Sequence, residues 1–173
     1  MASGRSILTQ TVDLGPTGSF ATFNESTLPA SGHLGMVVEY AGKVYRLVKF
    51  DNGQGNVASA AGGVVHWKTR ASFIVTSDQT DAEAGINSVA GGTLGVVTDL
   101  NYCFVQIGGL QTAKVAASTA VGDACVGATS DNVFGRTAMS TAPIGIPYAI
   151  AYSAVDTPTT GFSYVYWVLG NLL

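Results

Sequence analysis

Short runs of β-branched and aromatic residues, bounded by glycines, recur along most of the chain. The first two, MVVEY and KVYRLVKF, flank the dipeptide Ala41-Gly42, an arrangement typical of a β-hairpin. A longer run, GGVVHWKTRASFIVTS, predicts one or two further strands. From residue 93 onward the runs are TLGVVTD, NYCFVQIGG, TAKVAAS, GDACVGA, GIPYAIAYS and FSYVYWVLG. Such even spacing of short strands predicts an all-β fold, either a small antiparallel β-barrel or a sandwich.

A helical pattern is confined to residues 76–92, TSDQTDAEAGINSVAGG. Gly85 and the pair Gly91–Gly92 limit any helix there to a turn or two, because glycine destabilises a helix interior. No block of sequence repeats at a fixed period, which excludes a solenoid or a propeller. We therefore expect a mostly-β protein with little helix.

Residues 1–30 have a different character, with scattered apolar side chains among Thr, Ser, Gly and two prolines. No helical or strand period persists there, so we interpret residues 1–30 as an extended N-terminal arm and residues 31–173 as a β-rich domain. Such an arm commonly becomes ordered on a partner; the alternative is a first strand of the same domain. The apolar arm residues expected to make contacts are Ile7, Leu8, Val12, Leu14, Phe20 and Phe23.

The last strand-like run, FSYVYWVLG, carries apolar side chains on both faces, although one face of a strand in a two-layer protein is normally exposed to solvent and polar. One face holds Phe162, Tyr164, Tyr166 and Val168, and the other holds Val165, Trp167 and Leu169. We predict a subunit interface on this strand, because buried aromatic side chains commonly anchor interfaces. The predicted contact residues are Tyr164, Tyr166 and Trp167, and the alternative is a strand buried wholly within one subunit.

Charged residues make up 11% of the chain, less than half of the typical ~25%, while the apolar fraction of 47% is ordinary. A largely neutral surface of this kind favours association with other proteins. The net charge of −3 and the lack of a basic stripe argue against nucleic acid as a partner. We expect no membrane segment, because no apolar run approaches ~18–20 residues. The first residues lack the apolar core of a secretory signal, so we expect synthesis in the cytoplasm.

The segment FDNGQGNVASAA, residues 50–61, imitates the glycine-rich turn of a dinucleotide-binding fold. The preceding strand contains Arg46 and Lys49, whereas the buried parallel strand of that fold is almost continuously apolar. The following helix would meet Gly62–Gly63 within a few residues. We therefore predict a glycine-rich loop with an Asx turn at Asp51-Asn52-Gly53, and no nucleotide cofactor.

Other residue types that carry chemistry are sparse. His33 and His66 lack metal-ligand spacing, and no Gly-x-Ser-x-Gly motif supplies a serine nucleophile. Cys103 and Cys125 could form a disulfide, but in a chain without a secretory signal we expect both to be free and buried. We find no catalytic constellation and predict a protein that is not an enzyme and uses no cofactor.

Asp78, Asp81 and Glu83 lie close together in the sequence and could hold a calcium ion. Thr80 stands where a calcium-binding loop of the EF-hand type would carry another oxygen-rich Asp or Asn. We therefore favour solvated loop acids over a metal site.

The sequence from residue 76 onward contains NSVAGG, GVVTDLNYCFVQIGG, VGDACVGA and IGIPYAIA, and it follows GKVYRLVKFDNGQGNVASAAGGVVHW. In these motifs, which cover roughly residues 33–155, the chain resembles the capsid decoration (cement) and related head structural proteins of tailed bacteriophages. The resemblance implies a small β-rich domain assembled as trimers or other oligomers on an icosahedral shell. It also implies that the partners are the major capsid protein and further copies of this chain. The expected location is the capsid surface of the virion, after assembly in the cytoplasm of the bacterial host.

Two other classes of function remain open. A carbohydrate-binding or adhesion module would use exposed Trp67, Trp167 and tyrosines as a sugar-stacking platform. An enzyme with an unrecognised site is the least favoured class.

Overall fold

A computed structural model describes residues 33–83, 88–138, 148–155 and 161–168, and the arm of residues 1–30 lies outside these ranges. The described residues contain no α-helix, and the predicted all-β fold is confirmed. Two short 3₁₀ helices occupy Arg70–Ser72 and Gln79–Asp81. The strands are β1 (Val37–Tyr40), β2 (Lys43–Phe50), β3 (Val64–Thr69), β4 (Ile74–Thr76), β5 (Val89–Gly92), β6 (Tyr102–Val115), β7 (Ala124–Gly127), β8 (Phe134–Thr137), β9 (Ala149–Ala151) and β10 (Gly161–Trp167).

Five strands close a barrel, which we call the first ring. Its order is β2-β4-β3-β5-β6, and the pairing of β6 with β2 completes it. All pairs are antiparallel except β2 with β4. Strand β1 lies outside the ring and pairs only with β2 among the described strands. The interior is filled by buried apolar side chains that include Phe50, Val65, Trp67, Val75 and Val105.

A second ring of pairings uses the other half of β6. The order is β6-β10-β9-β7-β8, and a parallel bridge between Val115 and Phe134 returns β8 to β6. Its core includes Val115, Cys125, Phe134 and Trp167, and the rings of Phe134 and Trp167 lie 5.1 Å apart. The molecule is therefore a pair of β-rings that share one long strand.

The bend that lets β6 serve both rings lies at Gly109. This residue has a φ of +80°, and a Cβ there would lie 2.6 Å from the carbonyl oxygen of Gly42, so only glycine fits without strain. The ladder between β2 and β6 shifts register beside it, between Val44 and Tyr45. The side-chain amide of Gln106 fastens the bend by donating hydrogen bonds of 3.0 Å to the carbonyls of Gly108 and Leu110.

Three sequence predictions are corrected by this arrangement. Residues 89–92, the end of the expected helix, form strand β5, because Gly91 and Gly92 pack directly against Val105 and Gln111. Only residues 79–81 of that segment are helical, and residues 84–87 are outside the described ranges. The expected strand TLGVVTD is a loop, while NYCFVQIGG and TAKVAAS form one continuous strand, β6.

In the described part of the chain, no helix is long and apolar enough to cross a membrane.

Candidate functional site

Strand β10 has one face in the core and one face in solvent. Val165 and Trp167 point inward and are at most 1% exposed, whereas Phe162, Tyr164 and Tyr166 point outward and are more than 50% exposed. The prediction of apolar side chains on both faces of this strand is confirmed for its described residues; Leu169 lies outside them.

Trp167 belongs to the core rather than to a contact surface, which corrects its predicted role. Its indole Nε1 donates a hydrogen bond of 2.7 Å to Oε1 of Gln111, and its ring packs against Phe134. The inward orientation follows from the strand period of two, which places Trp167 on the face opposite Tyr166. Tyr164 and Tyr166 remain predicted contact residues and are both exposed.

Neighbouring strands extend the exposed apolar surface on both sides of β10. Tyr166 lies opposite Leu110 of β6 and Ile150 of β9, so all three side chains project from the same face of the sheet. The backbone amide of Tyr152 donates to the carbonyl of Tyr164, which brings a further aromatic ring to this face. We call this surface the aromatic face and define it as Leu110, Ile150, Tyr152, Phe162, Tyr164, Tyr166 and Val168, each 38–68% exposed.

The aromatic face is large for an exposed apolar patch. Large side chains cover ~150–250 Å² each when buried, so seven that are roughly half exposed present on the order of 600 Å². Each partner of a standard protein interface contributes ~800 Å², and the largest apolar patch of a monomer is typically ~300–600 Å². The aromatic face is thus close to one partner's share of an interface.

Charge is nearly absent from this surface. The described strands β6, β9 and β10 contain no carboxylate, and their one charged residue is Lys114, which lies opposite Phe162. Burying such a surface against a partner leaves few ionic groups to desolvate, which favours association.

A cleft of about 290 Å³ opens where the two rings meet. It adjoins the aromatic face, because Phe162 lines it together with Thr112, which lies opposite Tyr164. The other lining residues are Lys43, Ala61, Gly62, Thr93, Leu94, Gln106 and Gln111. Its volume lies at the lower end of the range for ligand pockets, which suits one side chain better than a large molecule.

The glycine-rich loop after β2 is held by carboxylates. The predicted Asx turn is confirmed, because Oδ1 of Asp51 accepts a hydrogen bond of 2.8 Å from the amide of Gly53. The amide of Gly55 donates to Oδ2 of Asp78 over 2.8 Å, and the amide of Gln54 donates to Oδ2 of Asp81 over 2.7 Å. The loop amides that would bind phosphate in a dinucleotide site are therefore used within the chain.

A lysine lies among these acids. The ammonium of Lys68 is 2.9 Å from Asp51 and 3.4 Å from Asp81, so it supplies the positive charge that a metal ion would bring. Burial tends to raise the pKa of Asp51, but hydrogen bonds from Gly53 and Lys68 outweigh it and hold that pKa below the usual range. The described residues contain no group of three or more His, Cys, Asp or Glu side chains that could hold a metal ion.

The expectation of solvated loop acids is wrong for Asp78. This residue is 2% exposed and accepts hydrogen bonds from the hydroxyl and amide of Thr80 as well as from Gly55. These bonds, the Thr80 hydroxyl first, hold the pKa of Asp78 below its ordinary value. Glu83 is exposed and accepts from the amide of Arg70 instead.

Both cysteines are free and buried, as predicted. Burial raises the pKa of each thiol to about 12, so neither Cys103 nor Cys125 forms a thiolate near neutral pH. His66 is fully buried, and burial lowers its pKa to about 4, whereas His33 is exposed.

The two tryptophans expected on a sugar-stacking platform are both in the core. Trp167 is 1% exposed and Trp67 is 3% exposed. The ring of Trp67 lies edge-on to Phe73, and the guanidinium of Arg46 sits 5.7 Å from its centre. Among the described residues, the exposed aromatic side chains left for such a platform are tyrosines and Phe162.

Sequence reasoning missed Leu110, Ile150 and Tyr152. Leu110 lies in β6, Ile150 lies in β9 and Tyr152 directly follows β9, and only the pairing of β6, β9 and β10 brings them beside Tyr164 and Tyr166. The alternation within β10 was the available signal for the exposed tyrosines.

Comparison of the chain with protein-family models and with curated proteins gives no match.

Proposed function

We propose that this protein is a structural component of a bacteriophage head, which binds the outside of the capsid as a homo-oligomer and reinforces the shell. The observation that carries the proposal is the aromatic face, an exposed and nearly uncharged surface on closed β-rings. Such a surface suits permanent association with protein rather than chemistry on a small substrate. The resemblance of the sequence motifs to phage decoration proteins supports the same conclusion.

In this proposal the aromatic face forms the contact between subunits, most simply in a trimer. Phe162, Tyr164 and Tyr166 are its central anchors, since exposed aromatic side chains in a common plane bury much area with few rotatable bonds. The arm residues Ile7, Leu8, Val12, Leu14, Phe20 and Phe23 remain predicted contacts with a neighbouring subunit or the major capsid protein. The site of action is the capsid surface, after assembly in the host cytoplasm.

The proposal is tested by binding to capsids. Shells assembled from the major capsid protein encoded in the same genome are mixed with the purified protein and sedimented. We expect co-sedimentation at a fixed ratio of this protein to capsid subunits and a rise in the temperature at which the shells rupture. Protein that stays in the supernatant at saturating concentration contradicts the proposal.

A carbohydrate-binding or adhesion module is the second candidate. The observation in its favour is the cluster of Tyr152, Phe162, Tyr164 and Tyr166, whose rings could stack on sugars. The burial of both tryptophans weakens it. This candidate expects a monomer whose melting temperature rises with a particular glycan, whereas a capsid-binding protein is oligomeric and insensitive to glycans.

A further inference from the structure

The wall of the first ring is completed by a piece of the second. Strand β4 ends at Thr76, opposite His66, and no further described strand pairs with β3 on that side. The amide of Val64 points to the same side, because amides alternate along a strand and that of Trp67 points to the side of β5. It donates a hydrogen bond of 3.2 Å to the carbonyl of Asn132. Asn132, in the loop between β7 and β8, thus takes the position beside β3 that β4 leaves.

Two further hydrogen bonds attach this loop to the first ring. Nδ2 of Asn132 donates to the carbonyl of Ala58 over 3.1 Å, and Oδ1 of Asp131 accepts from the amide of Gln79 over 2.9 Å. We call residues 131–132 the latch, because they hold a loop of the second ring against the first. Three such hydrogen bonds make a weak attachment compared with the strand ladders of either ring.

His66 lies between two of the attachment points of the latch. It is two residues from Val64 on β3, and its partner in β4 is Thr76, three residues before Gln79. Val64 packs in the core of the second ring, so His66, which projects from the same face of β3, lies at the junction of the two rings. Its side chain is fully buried there.

The surroundings of His66 suit a neutral imidazole and not a charged one. Nδ1 lies 3.3 Å from the Ser88 hydroxyl, and Nε2 has no hydrogen-bond partner among the described residues. An imidazolium has two N–H donors, and a buried charge without acceptors is costly. Burial accordingly lowers the pKa of His66 to about 4, against about 6.5 in water. Acid therefore favours any arrangement in which the imidazole reaches water.

The neighbouring charges compensate little. Asp131 raises the pKa of His66, but its effect is smaller than that of burial, and one of its oxygens is bound to Gln79. Strand β5 carries no titratable side chain, and burial raises the pKa of the two titratable groups in the core of the second ring, so both stay neutral. These two are Cys125 and Tyr148, and the remaining charged groups on the adjoining elements are Lys68, Arg70, Asp78 and Asp81. Lys68 is paired with Asp81, and Asp78 accepts from within the glycine-rich loop.

We propose that protonation of His66 releases the latch from the first ring and admits water to the imidazole, while the strand ladders of both rings remain paired. The junction of the rings is then an acid-sensitive joint within the folded subunit. This opening is distinct from global unfolding, and the proposal does not depend on capsid binding.

Amide hydrogen exchange tests the opening, with the amides of Val64 and Gln79 as reporters, because each donates to the latch. After correction for the intrinsic pH dependence of exchange, we expect both to exchange about twentyfold faster at pH 5 than at pH 7, since the open and closed states differ in the pKa of His66. The amide of Trp67 donates to the Ser88 carbonyl within the first ring. At pH 5 it should remain at least about a hundredfold better protected than that of Val64.

Three variants separate the trigger from the latch. His66→Gln keeps a neutral side chain and should abolish the acceleration by acid. Asn132→Ala removes the bond to Ala58 and should speed the exchange of the Val64 amide about fivefold at pH 7, with its pH dependence retained. Ser130→Ala, at an exposed position of the same loop, is the matched control and should change neither quantity.

Four results would overturn the proposal. Two come from the unaltered chain, and they decide the question even when a variant does not fold. One is protection of Val64 and Gln79 that is the same at pH 5 and pH 7, and the other is equal protection of Val64 and Trp67 at pH 5, which would indicate global unfolding. The remaining two are acceleration by acid that persists in His66→Gln and exchange that Asn132→Ala leaves unchanged.

Discussion

His66 is fully buried on the face of β3 opposite Val65 and Trp67, and its Nδ1 lies 3.3 Å from the Ser88 hydroxyl. Burial lowers its pKa to about 4, although Asp131 opposes the effect. An unfolded chain protonates the same imidazole near pH 6.5, so between these values the unfolded state binds a proton that the folded state does not. The contribution of His66 to stability is therefore complete above pH 6.5 and is lost as the pH falls toward 4.

Lowering the pH from 7 to 5 should reduce the free energy of unfolding by about 2 kcal/mol, since each unit of pKa difference corresponds to about 1.36 kcal/mol. Asp51 and Asp78 have lowered pKa values and lose their contribution only below about pH 4, outside this window. Urea unfolding at several pH values measures how the free energy of unfolding changes with pH. His66→Gln should flatten this dependence, and His33→Gln, at an exposed position, should leave it unchanged. Equal pH dependence in both variants would contradict the assignment of the effect to His66.

At the scale of one element, strand β10 directs its side chains alternately into the core and into solvent. Tyr166→Glu places a charge on the aromatic face without touching the core. Sedimentation should therefore show a homo-oligomer for the unaltered chain and monomers for this variant, with little change in the unfolding free energy. An unchanged sedimentation coefficient would place the subunit interface elsewhere.

The matched control lies one residue further along the same strand. Trp167→Ala removes a buried ring and its hydrogen bond to Gln111, and it should lower the free energy of unfolding by about 3–5 kcal/mol. The two neighbouring substitutions thus separate assembly from folding. A Trp167→Ala protein as stable as the unaltered chain would contradict the core position of this residue.

The bend in β6 gives a prediction for a glycine. Gly109→Ala adds a Cβ that meets the Gly42 carbonyl in a backbone region that alanine avoids, and we expect a loss of about 1–3 kcal/mol. Gly95 is the control, because it has an ordinary φ and open space around it, so Gly95→Ala should change stability by less than about 0.5 kcal/mol. Thermal unfolding of both variants measures the difference, and equal melting temperatures contradict a strained bend.

Strand elements were predictable from sequence because their signals are local. The runs KVYRLVKF and FSYVYWVLG carry β-branched and aromatic residues, and both contain strands. The pairing was not predictable, because register depends on contacts between residues far apart in sequence, such as Tyr166 with Leu110. For the same reason the sequence could not show which face of β10 is exposed to solvent, or that β6 belongs to both rings.

At the scale of the whole molecule, the two rings close without the arm. Every pairing that completes them involves described residues between Lys43 and Trp167. Deleting residues 2–28 should therefore leave a domain that unfolds in a single cooperative transition, with coincident urea curves from circular dichroism and tryptophan fluorescence. A truncated chain without a cooperative transition would make the arm part of the core, which is the alternative of a first strand in the same domain.

Strand β6 also has a mechanical consequence. It runs through both rings for fourteen residues, and it pairs with β2 before the bend at Gly109 and with β10 from the bend onward. In each half the hydrogen bonds lie across the strand, so a pull along that half must shear many bonds together instead of opening them one after another. We therefore expect β6 to resist a pull along either half, and the single bridge between Val115 and Phe134, which closes the second ring, to open first.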